Sequence, residues 1–292
     1  MVEKKFTFGW LIRNLVLWVV VVIMTWPLLH MLAVSISGKV DVYSGAVGIF
    51  PLVNGKLGVS IDAYKSVLSN PDIFMAYKNT IIYTVVGTAL ALAVLSTGAY
   101  ALSKPNRLPG GRAINFLIMI TMFFGGGMIP AFLCIKWLGL YDTIWAITLP
   151  GAFSAYNCII MRSFFVGFPK EIEESGRLDG LNDIGILWYL VLPTSTAVLA
   201  TIGLFVAVSQ WNSFFGPLLY LDGRHKYPLQ IVLRQIILQN SSDEAAAVGI
   251  TTFAESSLKY ATIVVSIIPI IAVYPFLQKY FVKGVMIGSV KG

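Results

Sequence analysis

Charge is what this sequence has least of. Lys, Arg, Asp and Glu together make up 12% of its 292 residues, about half the share of an ordinary soluble domain. Cysteine is nearly absent. Cys134 and Cys158 both sit inside apolar stretches, which excludes a disulfide framework and any Cys-based metal spacing. The two histidines, His30 and His225, share no motif, so no metal site is expected. No G-x-x-x-x-G-K-[ST] phosphate loop occurs, and the chain therefore has no nucleotide site of its own. Clustered Ser/His/Asp or paired carboxylates are also missing, so no catalytic residue is expected and the chain is not an enzyme by itself. There is no internal repeat and no low-complexity segment.

What is present is apolar: 57% of the residues are hydrophobic and the mean hydropathy is +0.79. The lipid bilayer is therefore part of the solvent of this chain. A hydrocarbon core about 30 Å thick needs roughly 20 helical residues. Six uncharged apolar windows have that length, at Leu15 to Ser35, Thr80 to Ser103, Ile114 to Ile135, Thr143 to Met161, Leu190 to Leu221 and Tyr260 to Gln278. All 21 basic and 14 acidic side chains lie outside them, as the cost of an unpaired charge at mid-bilayer requires. The net charge of +7 falls in short segments between the windows, so it flanks membrane spans and no nucleic-acid partner is expected. Lys4, Lys5 and Arg13 precede the first window and Ala33-Val34-Ser35 resembles a cleavage site. The window is long enough to span and others follow, so it reads as a retained helix. Pro193, near the start of the fifth window, places the beginning of its membrane helix a few residues later.

The short loop holding Lys104, Arg107 and Arg112 fixes the orientation by its positive charge. Both termini are predicted cytoplasmic. Two longer outside loops follow, near Gly38 to Lys78 and Asp222 to Lys259. The first has turn signals at Pro51, Asn54-Gly55, Gly58 and Asn70-Pro71, with room for a short amphipathic helix at Ser60 to Leu68. The second, with Tyr227-Pro228 and Asn240-Ser241-Ser242-Asp243, has the same turn-rich character. The fold class is an all-α polytopic membrane protein. It forms one membrane domain over residues 1–292, with its core at about 77–281 and a cytoplasmic tail at 282–292.

One inside segment, Phe164 to Pro193, combines charge, glycine and amphipathic spacing, as a docking site for a soluble partner would. Pro169 suits a first helical position, and Glu171, Glu173 and Glu174 complement the positive end of the helix dipole. Gly180 can close that helix in the left-handed conformation. Asn182 or Asp183 can cap a second helix running through Trp188 and Leu190 to Pro193. The prediction over 169–193 is a helix, a sharp turn and a second helix at the membrane face.

The run Glu174-Ser175-Gly176-Arg177-Leu178-Asp179-Gly180, then Leu190-Val191-Leu192-Pro193 after nine residues, resembles the EAA loop of ABC importer permeases, E-A-A-x3-G-x9-I-x-L-P. Ser175 and Gly176 stand where the pattern has alanines. The similarity to the maltose-type carbohydrate permeases continues at Asn79-Thr80, Ala99-Tyr100-Ala101-Leu102-Ser103-Lys104, Ile129-Pro130, Leu138-Gly139-Leu140, Ile144-Trp145-Ala146, Arg162-Ser163-Phe164-Phe165 and Gln210-Trp211-Asn212-Ser213-Phe214. It ends in the tail Gln278-Lys279-Tyr280-Phe281-Val282-Lys283-Gly284 and the closing Val290-Lys291-Gly292. Phe124-Gly125-Gly126-Gly127 and the long second outside loop are similar to permeases for complex oligosaccharides such as alginate or pectin fragments.

The resemblance implies a six-helix permease in a bacterial plasma membrane, importing carbohydrate with a second homologous permease, two ATP-binding cassette subunits and an extracytoplasmic solute-binding protein. It places ATP and Mg on the partner ATPase subunits, with no cofactor in this chain. It implies that Glu174, Ser175, Gly176, Asp179, Gly180, Leu192 and Pro193 form the coupling surface toward the ATPase. A permease for another solute would share the loop but not the Tyr-Phe-Val-Lys-Gly tail, and a channel or intramembrane enzyme would call for ionisable residues within spans.

Gln210, Trp211, Asn212 and Ser213, read as near the middle of the fifth window, either line a translocation path or hydrogen-bond neighbouring helices. Gly125, Gly126 and Gly127 with Pro130 interrupt the third window as a hinge or, the favoured role, a close helix crossing. Trp10, Trp26, Trp137 and Trp145 fall near window ends, as anchors of an aromatic belt do.

Overall fold

The computed structural model describes residues 8–239, 257–272 and 275. The sequence features at Lys4 and Lys5, at Asn240 to Asp243, and from Gln278 to the closing Val-Lys-Gly lie outside the described residues. The described chain is almost entirely helical and divides into two compact units, residues 8–74 with 232–239 and 257–268, and residues 75–231 with 269–272.

In the first unit, helix α1 (Phe8–Ser35) has no acidic residue in its first turn and no polar face, and from Gly9 to Leu32 none of its residues is buried, with Leu15 60%, Trp18 68% and Met24 69% exposed; only Ala33, Val34 and Ser35 at its end are buried. A helix apolar on every side and unburied is the form lipid selects, because its backbone is satisfied internally. Past it come α2 (Lys39–Tyr43), a hairpin of β1 (Leu52–Val53) and β2 (Lys56–Leu57), and α3 (Asp62–Leu68). The hairpin register pairs Leu52 with Leu57 and Val53 with Lys56. Asn54 and Gly55 between them both have positive φ, 52° and 74°, as a tight two-residue turn demands. The buried Asp41 side chain holds this turn by accepting the Gly55 N–H at 2.7 Å. The short helix expected at Ser60 to Leu68 is α3.

Helix α4 (Pro71–Ser103) runs 33 residues, about 50 Å at 1.5 Å per residue. It begins well before the apolar window, because Pro71 suits a first turn and Asn70 Oδ1 accepts the Asp72 N–H at 2.9 Å. Three of the six windows are broken. The third forms α5 (Gly111–Thr121) and α6 (Met128–Trp137), separated by residues 122–127. The fourth forms α7 (Ile144–Thr148) and α8 (Ala155–Val166), separated by residues 149–154 with Pro150-Gly151 at the break. Following α9 (Lys170–Leu178), the fifth is reached through α10 (Asp183–Ile186), a wider π turn at Leu187–Val191 and α11 (Leu192–Thr194). The chain bends 85° there into α12 (Thr196–Trp211), then continues as α13 (Phe215–Tyr220). Pro193 lacks the N–H that a regular helix would bond back to Tyr189, and the start of α12 at Thr196 matches the late start expected. Among the described residues, α1 and α4 are each able by length and composition to cross a membrane as one helix, and the bent pair passes the same test only if it is taken as a single broken span. The second outside loop is not turns alone: it contains α14 (Leu229–Gln239), and α15 (Ser257–Ala272) begins where it ends.

The core of the second unit follows from helical spacing. Ala91, Leu95, Ala99 and Leu102 of α4, Cys158, Met161 and Phe165 of α8, and Val198, Ile202 and Val206 of α12 each recur at intervals of three or four, and meet with Ile186, Leu187 and Val191. Among lipid-surrounded helices close packing supplies the association, since lipid tails are as apolar as leucine.

A polar clasp closes the end of this unit where α4 meets residues 222–229. Asn79 donates to the His225 and Tyr227 carbonyls at 2.7 and 3.1 Å, Tyr83 donates to the Lys226 carbonyl at 2.8 Å, and Thr80 Oγ1 accepts the Leu229 N–H at 2.8 Å. The Asn79-Thr80 pair thus holds the loop that follows α13. Lys226 forms an ion pair with Asp142, whose carboxylate also accepts the Asp222 N–H at 3.1 Å. The Lys226 hydrogen bond first, then that backbone donor, hold the Asp142 carboxyl below the usual carboxylate range. Tyr141 donates to Asp222 at 2.8 Å, which raises its phenol. A depressed carboxyl contributes its stability above its ordinary pKa and loses it as pH falls through the lowered value. The protection of the backbone amides of residues 222–227, taken relative to their intrinsic exchange at each pH, is accordingly expected to be flat from neutral pH to about 4 and to fall below. Asp142→Asn should raise exchange at neutral pH and remove that acid step. Asn tolerates the left-handed backbone found at residue 142 (φ 58°), so the substitution isolates the charge.

Candidate functional site

The segment 169–193, expected inside, folds as helix, turn and helix. Pro169 lies just before α9 as its cap, with φ −59° and ψ 125°, rather than in the first helical turn; its extended ψ keeps it outside the helix. Glu171 and Glu173 occupy the first turn, as the dipole favours. At the other end Asp179 is the cap and Gly180 takes φ +85°. This lets the Leu181 N–H reach the Gly176 carbonyl (2.9 Å) and the Gly180 N–H reach the Arg177 carbonyl (3.0 Å), the two bonds of a Schellman closure. Asn182 caps the next helix by accepting the Gly185 N–H at 2.8 Å, and Arg177 pairs with Asp183 across the turn.

Helix α9 has two faces with different duties. Glu173 and Gly176 are buried toward the chain, three residues apart on one side. A Cβ on Gly176 would lie 2.7 Å from Leu190 Cδ1, so this position needs a minimal side chain. Glu173, 4% exposed, forms an ion pair with Lys104, just beyond the end of α4. Glu174, Ser175, Asp179 and Gly180 face outward together, and beside them Leu178 is 90% exposed. Of the residues expected on the coupling surface, Gly176 therefore packs against the chain itself and Leu192 is half-buried on the core, while Pro193 marks the bend. A cleft of about 360 Å³ opens beside α9, lined among others by Lys104, Asn106, Arg107, Lys170 and Glu174. Sequence reasoning missed Glu173, Lys104 and Leu178. The signal for the first was its three-residue spacing from Gly176.

The four residues expected along a path are not mid-helix. They sit at the C-terminal end of α12, because Asn212 ends the helix and donates to the Val208 carbonyl at 2.9 Å. Trp211 is buried, edge-on to Tyr77 with centroids 6.5 Å apart, and its Nε1 has no acceptor among the described residues. Ser213 is half-buried in the break before α13. Gln210 extends across to α4 and the 149–154 break: a Cβ on Gly87 would lie 2.9 Å from its Nε2, and one on Gly151 2.8 Å from it.

The glycines of the third window do not serve a close crossing among the described residues. Gly125 and Gly126 have nothing within 4 Å of an added Cβ, and Gly127, at φ +85°, starts α6. Their contribution is the break itself. Of the tryptophans expected in a belt, Trp26, Trp137 and Trp145 are exposed and project outward.

Comparison with known proteins agrees with this arrangement. Residues 111–287 match the family described as "Binding-protein-dependent transport system inner membrane component". The chain is 41% identical to the polygalacturonan/rhamnogalacturonan transport system permease protein YtcP of Bacillus subtilis (strain 168), over 91% of this chain and 92% of that one. It is 43% identical to protein LplC of the same organism, over 91% and 89%. A chain of the crystal structure of a bacterial ABC transporter involved in the import of the acidic polysaccharide alginate superposes with a TM-score of 0.86 at 36% identity, covering 96% of this chain and 99% of that one. With a family match over most of the chain and relatives this similar along nearly its whole length, the chain belongs to the binding-protein-dependent transport system inner membrane components, the non-catalytic permease subunits of ABC importers.

Proposed function

We propose that this permease imports oligosaccharides built from uronic acids. The observation that carries this reading is the pairing of two likenesses: a relative named for polygalacturonan and rhamnogalacturonan, and a structural neighbour from an importer of acidic alginate. Relatives named for arabinooligosaccharides are only 24–25% identical. In this reading six spans cross a bacterial plasma membrane with both termini inside, as one permease domain. The loop 169–193 is the coupling element, and its outward residues Glu174, Ser175, Leu178, Asp179 and Gly180 dock on an ATPase subunit. A second homologous permease, two ATPase subunits holding ATP and Mg, and a solute-binding protein complete the complex.

The test is uptake by the complete complex in proteoliposomes, with its binding protein on one side and ATP on the other. Short oligogalacturonides are expected to be accumulated and to stimulate ATP hydrolysis, while neutral maltotriose does neither. Accumulation of the neutral sugar with no response to oligogalacturonides would overturn the acidic assignment. Copurification without any ATPase subunit would overturn the coupling assignment.

A further inference from the structure

The bilayer tolerates non-helical backbone only where it is packed in protein or lines a water-filled cavity, since lipid offers no hydrogen bonds. In transporters, interrupted helices accordingly mark the places where solute is handled. Two interruptions in this chain meet at one side chain. Gln210 leaves α12 just before the break at residues 212–214, and its amide lies against Gly151 in the break at residues 149–154. On its other side is Gly87 of α4, buried, where the missing side chain admits not only Nε2 but also Cδ at 3.0 Å and Cγ at 3.2 Å from an added Cβ. The half-buried Gln210 amide makes no hydrogen bond among the described residues. Such a group in an apolar surrounding is costly unless something polar reaches it, and a primary amide offers both a donor pair and an acceptor, the complement of sugar hydroxyls.

We infer that Gly87 and Gly151 are positioning residues: their absent Cβ atoms form a seat that holds Gln210 at the junction of the two breaks and thereby sets the bore of the sugar path there. This rests on the reading that Gln210 belongs to the path, and it adds the residues that place it. A methyl group on either glycine overlaps the amide at under 3.0 Å and must push the Gln210 side chain out of its seat into the adjoining space.

The experiment is a set of variants in the reconstituted complex, with oligogalacturonide uptake and binding-protein-stimulated ATP hydrolysis measured side by side. Gly87→Ala and Gly151→Ala are each expected to lower maximal uptake about tenfold, the scale of a modest overpacking conflict, while ATP hydrolysis is retained. Gln210→Asn, one methylene shorter, should restore uptake in either glycine background. Normal uptake in both glycine variants overturns the seat, and so does a parallel loss of uptake and hydrolysis that Gln210→Asn does not relieve. Should a glycine variant fail to assemble, Gln210→Ala is added to empty the seat, and continued failure to assemble overturns the proposal. Gln210→Ala alone separates the two levels. Unchanged uptake in that variant refutes the path reading itself, whereas reduced uptake with indifferent glycine variants refutes only the seat.

Discussion

Leu178→Glu is expected to release the ATPase subunit from the solubilised complex while leaving the permease in the membrane at normal abundance. A single exposed leucine is ordinary on a protein surface. Leu178, however, is 90% exposed in the last turn of α9, on the face that also carries Glu174, Ser175 and Asp179. Its own helix does not need it, because α9 is closed by backbone bonds around Gly180 and anchored through Glu173 and Gly176. Loss of one hot-spot anchor near the centre of an interface costs about 2 kcal/mol or more, so a weakening of about thirtyfold is expected. A carboxylate at this place also adds to two acidic neighbours and would have to be desolvated on docking. The check is recovery of the ATPase with a tagged permease, beside substrate-stimulated ATP hydrolysis. Leu178→Ile should behave as the parent does. Full recovery and full hydrolysis in the glutamate variant would show that α9 docks by another face, or not at all.

The parts of this loop that were legible in the sequence are those set by local chemistry. Gly180 is the residue that accepts φ +85° without strain, and Asn182 can reach a backbone N–H within its own first turn. The parts that were not legible depend on distant partners. Glu173 meets Lys104 across 69 positions, and nothing in the neighbourhood of either residue reports the other. Leu178 was passed over because an apolar residue in a helix is ordinarily assigned inward, and only the burial of Glu173 and Gly176 turns it outward. The membrane windows illustrate a different gap. Hydropathy records whether a stretch can sit in lipid, not whether it stays helical, so the breaks at residues 122–127, 149–154 and 212–214 were hidden inside windows that looked continuous. The glycines of the first break and Pro150-Gly151 of the second were visible, and Gly125 to Gly127 were noticed as an interruption. Packing around them was not visible, which is why a close crossing was expected where open space is found. Helix α14 was missed for the reverse reason: Tyr227-Pro228 and Asn240 to Asp243, the turn residues that flank it in sequence, drew the reading away from the stretch between them.

The Lys104–Glu173 pair leads to an asymmetric prediction, in which Lys104→Met harms transport more than Glu173→Gln. Lys104 keeps 21% of its side-chain surface in solvent and lies 5.7 Å from the Tyr100 ring, whereas Glu173 keeps 5%. Losing the lysine strands a carboxylate that has no other cation bonded to it among the described residues, and breaking a fully buried pair in this way costs about 3–5 kcal/mol. The cleft beside Lys104 admits water, so about 2 kcal/mol is the better expectation for this half-open site. Losing the carboxylate charge instead leaves a lysine that can turn into the cleft and an amide that can still accept from it, at a cost of about 1 kcal/mol. The outward face of α9 is untouched in both variants, so the ATPase should remain bound, in contrast to Leu178→Glu. What fails is transmission, because α9 loses one of its ties to the end of α4 and retains the packing of Gly176 on Leu190. Solute transported per ATP hydrolysed should fall several-fold in Lys104→Met and slightly in Glu173→Gln, and the exchanged pair Lys104→Glu with Glu173→Lys should recover part of the loss. Equal effects from the two single variants would mean that the pair acts only as a shared contact, and loss of the ATPase in either would place Lys104 in the docking surface itself.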